Sequence, residues 1–105
     1  MKVIYDYPVR TDERMRATVT LPIGAQIITV QSTFNEPTIS AIVDPAASSE
    51  DREFVVLSSG AAAVVQADVD LDSLIYIGTF QTSEKFEDVN LRHVLHLFEC
   101  LKKTS

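Results

Sequence analysis

The stretch Leu74-Ile75-Tyr76-Ile77-Gly78-Thr79-Phe80-Gln81 constrains this chain most. It is the densest run of β-branched and aromatic residues, and none of its side chains is charged. Asp72 and Ser73 bound it on one side, and Thr82-Ser83-Glu84-Lys85 on the other. Such residues suit a pleated, packed surface, so the run reads as a central strand buried on both faces or nearly so. Gly78 inside it marks a bulge, a bend or a close backbone approach, and the thing approached should be a neighbouring strand or aromatic.

Other short β-type runs surround this one. Lys2–Tyr7 opens with strand-forming residues and ends at Pro8. After the polar turn Thr11–Arg14, Met15–Leu21 alternates, with Met15, Ala17, Val19 and Leu21 on one face of a half-buried strand. Pro22-Ile23-Gly24-Ala25 suits a tight turn in which glycine takes positive φ. Gln26–Ser32 and Thr38–Val43, joined by the short connection Phe34-Asn35-Glu36-Pro37, form a hairpin. Asp44-Pro45 closes it, Ala46–Asp51 is an exposed loop, and Arg52–Ser58 is a further strand. The Thr82–Asp88 segment reads as a second loop.

Two segments stay open between structures. In Ala61–Ala67 the alanines favour one or two helical turns, while Val64-Val65 and Gly60 favour extended chain. In Val89–Lys103, Leu91, Val94, Leu95, Phe98 and Leu101 fit a helical stripe, and Lys102-Lys103 suits a helix C-terminus. Period two fits as well, with Val94, His96, Phe98 and Cys100 on one face and Leu95, Leu97 and Leu101 on the other. Six to seven short strands separated by Gly/Pro/Asp turns predict a mostly β fold. We expect a small antiparallel sandwich or barrel with at most one short helix, in a single domain over residues 1–105.

Charge narrows the partners. Fifteen acidic against nine basic residues give a net charge of −6, which opposes direct nucleic-acid binding and anionic membranes. It permits a basic protein partner, though modest acidity also simply keeps a small domain soluble. One cysteine, Cys100, precludes an intrachain disulfide and fits a reducing compartment. No signal-like segment and no ~20-residue apolar run appear, so the expected location is the cytoplasm.

The candidate chemistry is thin. Asp68-x-Asp70-x-Asp72 begins like a calcium loop, but Ser73 stands at its sixth position and Thr79 at its twelfth. As an extended segment it would line three carboxylates along one face, which reads as a solvated acidic edge. His93, His96 and Glu99 could ligate zinc only on a helix; on a strand the two histidines point apart, and each is better read as hydrogen-bonded. Nothing in the sequence activates Cys100 or pairs Asp44 with a second carboxylate, and no phosphate-binding or nucleophile-elbow motif occurs. The sequence therefore predicts no enzyme, no cofactor and no metal. It nominates Asp68, Asp70, Asp72, Glu84, Glu87 and Asp88 as an acidic interaction surface.

The chain also carries a pattern across nearly its whole length. It contains Tyr5-x-Tyr7-Pro8, Leu21-Pro22-x-Gly24-Ala25-x-Ile27-x-x-Val30-Gln31, Ala41-x-Val43-Asp44-Pro45, Arg52-x-Phe54, Tyr76–Gln81 and His96-x-Phe98-Glu99. This resembles a family of small uncharacterised bacteriophage and prophage proteins. The chain departs from it at Ser40, where tryptophan is common, and at Ser58-Ser59-Gly60 and the alanine-rich segment that follows. The resemblance implies a strand for Arg92–Glu99 and a phage gene expressed in a bacterial cytoplasm, and it carries no activity.

The function expected is that of a non-enzymatic accessory protein that binds a bacterial host protein, including one of host defence. The alternatives are a small-ligand or nucleotide-binding sponge built on Arg10, Arg14, Arg16, Arg52 and Arg92, or a virion structural accessory protein. A homodimer is expected too, because Phe34, Phe86 and the Leu91/Leu95/Leu97 face exceed what one core can bury.

Overall fold

Alternating apolar residues lay down the inner faces of two sheets. The structure, a computed structural model, describes residues 1–101. Seven antiparallel strands run Val3–Pro8 (β1), Arg16–Pro22 (β2), Gln26–Thr33 (β3), Glu36–Val43 (β4), Ser49–Leu57 (β5), Leu74–Phe86 (β6) and Val89–Cys100 (β7). One short helix, Ala61–Ala67 (α1), and a 3-10 turn at Leu71–Ser73 join β5 to β6. The sheets have orders β1-β4-β3 and β2-β5-β7-β6. They face each other as a sandwich, and the barrel alternative falls because neither sheet closes on itself.

The core lies between them. Val30, Ile39, Ala41 and Val43 face Ala17, Val19, Leu21, Phe54, Val56, Phe80 and Leu97. A smaller cluster forms on the outer side of the four-stranded sheet, where Val55 and Leu57 meet Ala67 of α1. Phe54–Leu57 is therefore buried on both faces, and β5 is one of the two inner strands of the four-stranded sheet, with β7 the other.

That overturns the reading of Leu74–Gln81. β6 is an edge strand whose Ile75 and Tyr76 are exposed. Its composition expresses β-propensity, whereas burial on both faces is written in the unbroken apolar run Phe54-Val55-Val56-Leu57. Gly78 behaves as expected. The β6–β7 register shifts between Tyr76 and Gly78, and a Cβ on Gly78 would stand 2.7 Å from Cγ1 of Val30 on β3.

Several boundaries move. Ser49–Asp51 belongs to β5, leaving a shorter loop before it. The β3–β4 connection is the two-residue turn Phe34-Asn35, both residues left-handed (φ 50° and 65°) as a type I′ turn requires, and Glu36-Pro37 already lies in β4. Pro22–Ala25 is the expected tight turn, with Gly24 at φ 83° and the Ala25 N–H donating to the Pro22 carbonyl at 3.1 Å. Val89–Cys100 is a strand, and its faces divide as period two predicts; Lys102 and Lys103 lie outside the described residues.

The largest revision is at Thr82–Asp88. Most of this presumed loop is strand, and β6 and β7 continue to Phe86↔Val89 around the turn Glu87-Asp88. β5 pairs with β7 only from Phe54↔Glu99 to Leu57↔His96. Beyond Leu95 the hairpin therefore runs out as a two-stranded arm. The Cα radius of gyration is 14.7 Å, against ~13 Å for a compact chain of this length, and the long dimension is 48 Å.

Candidate interaction surface

The six nominated acids fall into two groups. Asp68 ends α1 in left-handed conformation, and its N–H bonds the Val65 carbonyl. Asp70 caps the 3-10 turn, its carboxylate accepting from the Asp72 N–H at 3.0 Å. The segment is thus a folded corner, and the extended row of three carboxylates does not form. Each of these residues is committed to a local turn, the more usual task for Asp between elements.

Arg16 of β2 reaches this corner and donates to the carbonyls of Ala67 (2.9 Å) and Asp68 (2.7 Å). A cation at the helix C-terminus thereby satisfies carbonyls the helix leaves free. A cleft of about 600 Å³ opens beside it, lined by Arg16, Asp70, Ser73, Cys100 and Leu101 among others.

Glu84, Glu87 and Asp88 sit at the other end of β6, on the arm and its turn. The twelve residue steps from Leu74 to Phe86 separate the two groups by about 40 Å. They are two patches at opposite ends of one hairpin.

The arm has two unlike faces. Its outer face carries Ser83, Lys85, Asn90, Arg92 and Val94. Its inner face continues the row Phe80, Leu95 and Leu97 outward as Glu84, Phe86, Val89, Leu91 and His93. The three-stranded sheet covers this inner face only as far as the β3–β4 turn. There the Asn35 side chain accepts from the Ser83 N–H (3.1 Å) and donates to its carbonyl (2.9 Å), taking the place of a neighbouring strand. Past that step Phe86 is 63% exposed, Val89 57% and Leu91 42%, and Phe34 beside Asn35 is 97% exposed. Of the apolar residues expected to exceed one core, Leu97 is fully buried and Leu95 half-buried, while Phe34, Phe86 and Leu91 remain outside.

The histidines part as a strand requires. His96 points outward and bonds Thr79 Oγ1 through Nδ1 at 2.9 Å; Thr79 in turn meets the Tyr76 hydroxyl at 2.6 Å. His93 lies inward, 3.5 Å from a Glu84 carboxylate oxygen. Glu99 is engaged elsewhere, in a bidentate pair with Arg52 at 2.6 Å for both contacts. Among the described residues no group of three His, Cys, Asp or Glu side chains could hold a metal ion. Three of the five arginines of the ligand-pocket alternative have other places: Arg16 serves α1, Arg52 serves Glu99 and the Ala25 carbonyl, and Arg92 stands on the arm.

Burial pushes the Cys100 thiol above its ordinary range, only partly opposed by Arg16. The thiolate is the reactive form, so Cys100 should alkylate more slowly than an unstructured thiol across neutral and mildly alkaline pH. Iodoacetamide kinetics in the folded and urea-unfolded chain check this; equal rates would refute it.

Sequence reasoning missed the arm and the Arg52–Glu99 pair. The arm had a signal, the alternation Phe80, Thr82, Glu84, Phe86 running into a two-residue polar turn. The ion pair had none, because its partners lie 47 residues apart. Among the described residues no helix is long and apolar enough to cross a membrane.

A family model described as a domain of unknown function (DUF7352) matches residues 1–104, and the chain belongs to that family. No curated protein and no solved structure matches the chain.

Proposed function

We propose that this member of DUF7352 is a non-enzymatic accessory protein that works by binding another protein, with the tip of the β6–β7 arm as its contact. The observation that carries the reading is the arm itself: a strand pair projecting past the sandwich and ending in Glu87-Asp88. An acidic tip, Glu87-Asp88, on a chain of net charge −6 suits a basic partner, drawn in by long-range attraction. The resemblance to small phage and prophage proteins makes that partner a protein of the bacterial host cytoplasm. A host defence protein with a basic nucleic-acid-binding surface would be blocked by such a contact.

Capture from bacterial lysate on the immobilised chain tests this. A partner should be held at low salt and released at high salt. Exchanging Glu87→Lys and Asp88→Lys together should abolish capture with no change in thermal unfolding. Undiminished capture by the reversed tip would remove the arm from the contact, and failure to find a salt-sensitive partner in any host tried would sink the reading.

A further inference from the structure

Along the arm one edge of β7 presents a fixed pattern of unpaired backbone groups, and we propose that this edge takes up an extended segment of another protein as an added strand. β5 leaves β7 at Leu57↔His96, while β7 runs on to Val89. Val89–Leu95 is left without a neighbouring strand on that side, an edge of about 20 Å.

The Asn35 contact fixes which groups the edge offers. Asn35 bonds both the N–H and the C=O of Ser83, so these point away from β7. Ser83↔Arg92 is therefore a non-hydrogen-bonded pair, and the Arg92 N–H and C=O point away from β6. By period two the same holds for Asn90 and Val94. Among the described residues no backbone hydrogen bond reaches these three from the open side. Alternate residues that each offer a donor and an acceptor in one line are complementary to an extended backbone.

The flanking side chains set the character of that segment. It would lie antiparallel to β7, in the line that β5 vacates. Lys85 and Arg92 are the charges on the outer face of the arm, so the residue opposite Arg92 should be acidic. On the inner face a cavity of about 270 Å³ opens at the root of the arm, with Met15, Val56, Phe80, His93 and Leu95 in its walls. Val56 of β5 in that wall sets it towards the vacated line, so the inward residue of the segment should be apolar. A second copy of the chain is disfavoured. Two β7 edges paired about a two-fold axis at Arg92 would set that arginine against its own copy, on chains of −6 each. The added strand goes beyond the tip contact and does not depend on it.

NMR of the isotope-labelled chain is the test, with an eight-residue synthetic peptide alternating valine and glutamate as the probe. In the free chain the amides of Asn90, Arg92 and Val94 should exchange with solvent about tenfold or more faster than those of Leu91, His93 and Leu95, which face β6. The peptide should bind at about 0.1–1 mM and slow exchange at the first three. A peptide with lysine in place of glutamate should bind roughly threefold more weakly. Arg92→Pro removes an outward N–H and no bond to β6, so it should abolish binding with the hairpin intact, whereas Arg92→Ala should weaken binding only severalfold. A peptide N-methylated at its glutamates needs no change in the protein and should also fail to bind. Glu87→Lys with Asp88→Lys should leave the peptide bound, which separates the edge from the tip. Protection of Asn90, Arg92 and Val94 in the free chain, no response to the peptide at several millimolar, or equal binding of the N-methylated peptide would overturn the proposal.

Discussion

Replacing Arg52 by methionine should lower the unfolding free energy by about 3 kcal/mol. Arg52 on β5 and Glu99 on β7 lie diagonally across the ladder, since Glu99 pairs with Phe54, and both face the three-stranded sheet. The guanidinium makes two 2.6 Å bonds to the carboxylate and a third to the Ala25 carbonyl in the β2–β3 turn. The two side chains are only 16% and 15% exposed. A methionine side chain would keep the aliphatic bulk but leave a mostly buried carboxylate without its cation and a carbonyl without its donor. Residual water access holds the cost below the upper end for fully buried pairs.

Glu99→Gln should cost less, about 1–2 kcal/mol, because an acceptor remains while the charge is lost. Arg52→Met combined with Glu99→Leu should recover most of the loss, since two apolar side chains leave no orphaned charge. Urea unfolding of the four proteins reads all three values. An Arg52→Met cost under about 0.5 kcal/mol would reclassify the pair as a solvent-screened surface bridge.

Gly78→Ala comes next, at about 2 kcal/mol destabilising. Alanine normally gains on glycine in ordered structure by restricting the unfolded chain. Here the new methyl would meet Cγ1 of Val30 at 2.7 Å, and Val30 is buried in the core with little room to turn. A loss is therefore diagnostic of crowding between β6 and β3. Val30→Ala alone should also destabilise, by leaving a cavity. Together the two substitutions should cost less than their sum by at least ~1 kcal/mol, because the new methyl on β6 occupies the vacated space. Strict additivity would mean that the two residues do not meet.

The β class and the alternation of β2 were legible because period two is a local signal; β7 was not, since Val89–Lys103 fits a helical stripe as well as two strand faces, and only its ladders with β5 and β6 decide between them. Gly78 was legible locally too: a glycine amid β-branched residues has few explanations. Rank within the sheet was not. Ile75 and Tyr76 look as core-like as Val55 and Val56, and only the strand order sets one pair at an edge and the other at the centre. The acidic surface was legible residue by residue but not in space. Asp68–Asp72 and Glu84–Asp88 are near in sequence, and β6 carries them to opposite ends because a strand spends its length in one direction. The Asn35–Ser83 contact joins residues 48 apart and leaves no local trace.

The seven-residue helix α1 holds a different place in the molecule from the strands. A segment that short has no standing of its own in water, and its N-terminus has no side-chain cap. It persists because Ala67 is buried against Val55 and Leu57 and because Arg16 grips its last carbonyls. The outer side of β5 is thus roofed by a lodger rather than by a wall. Its tenancy hangs on one alanine and one guanidinium, and local opening there would bare Val55 and Leu57 while leaving the core between the sheets intact.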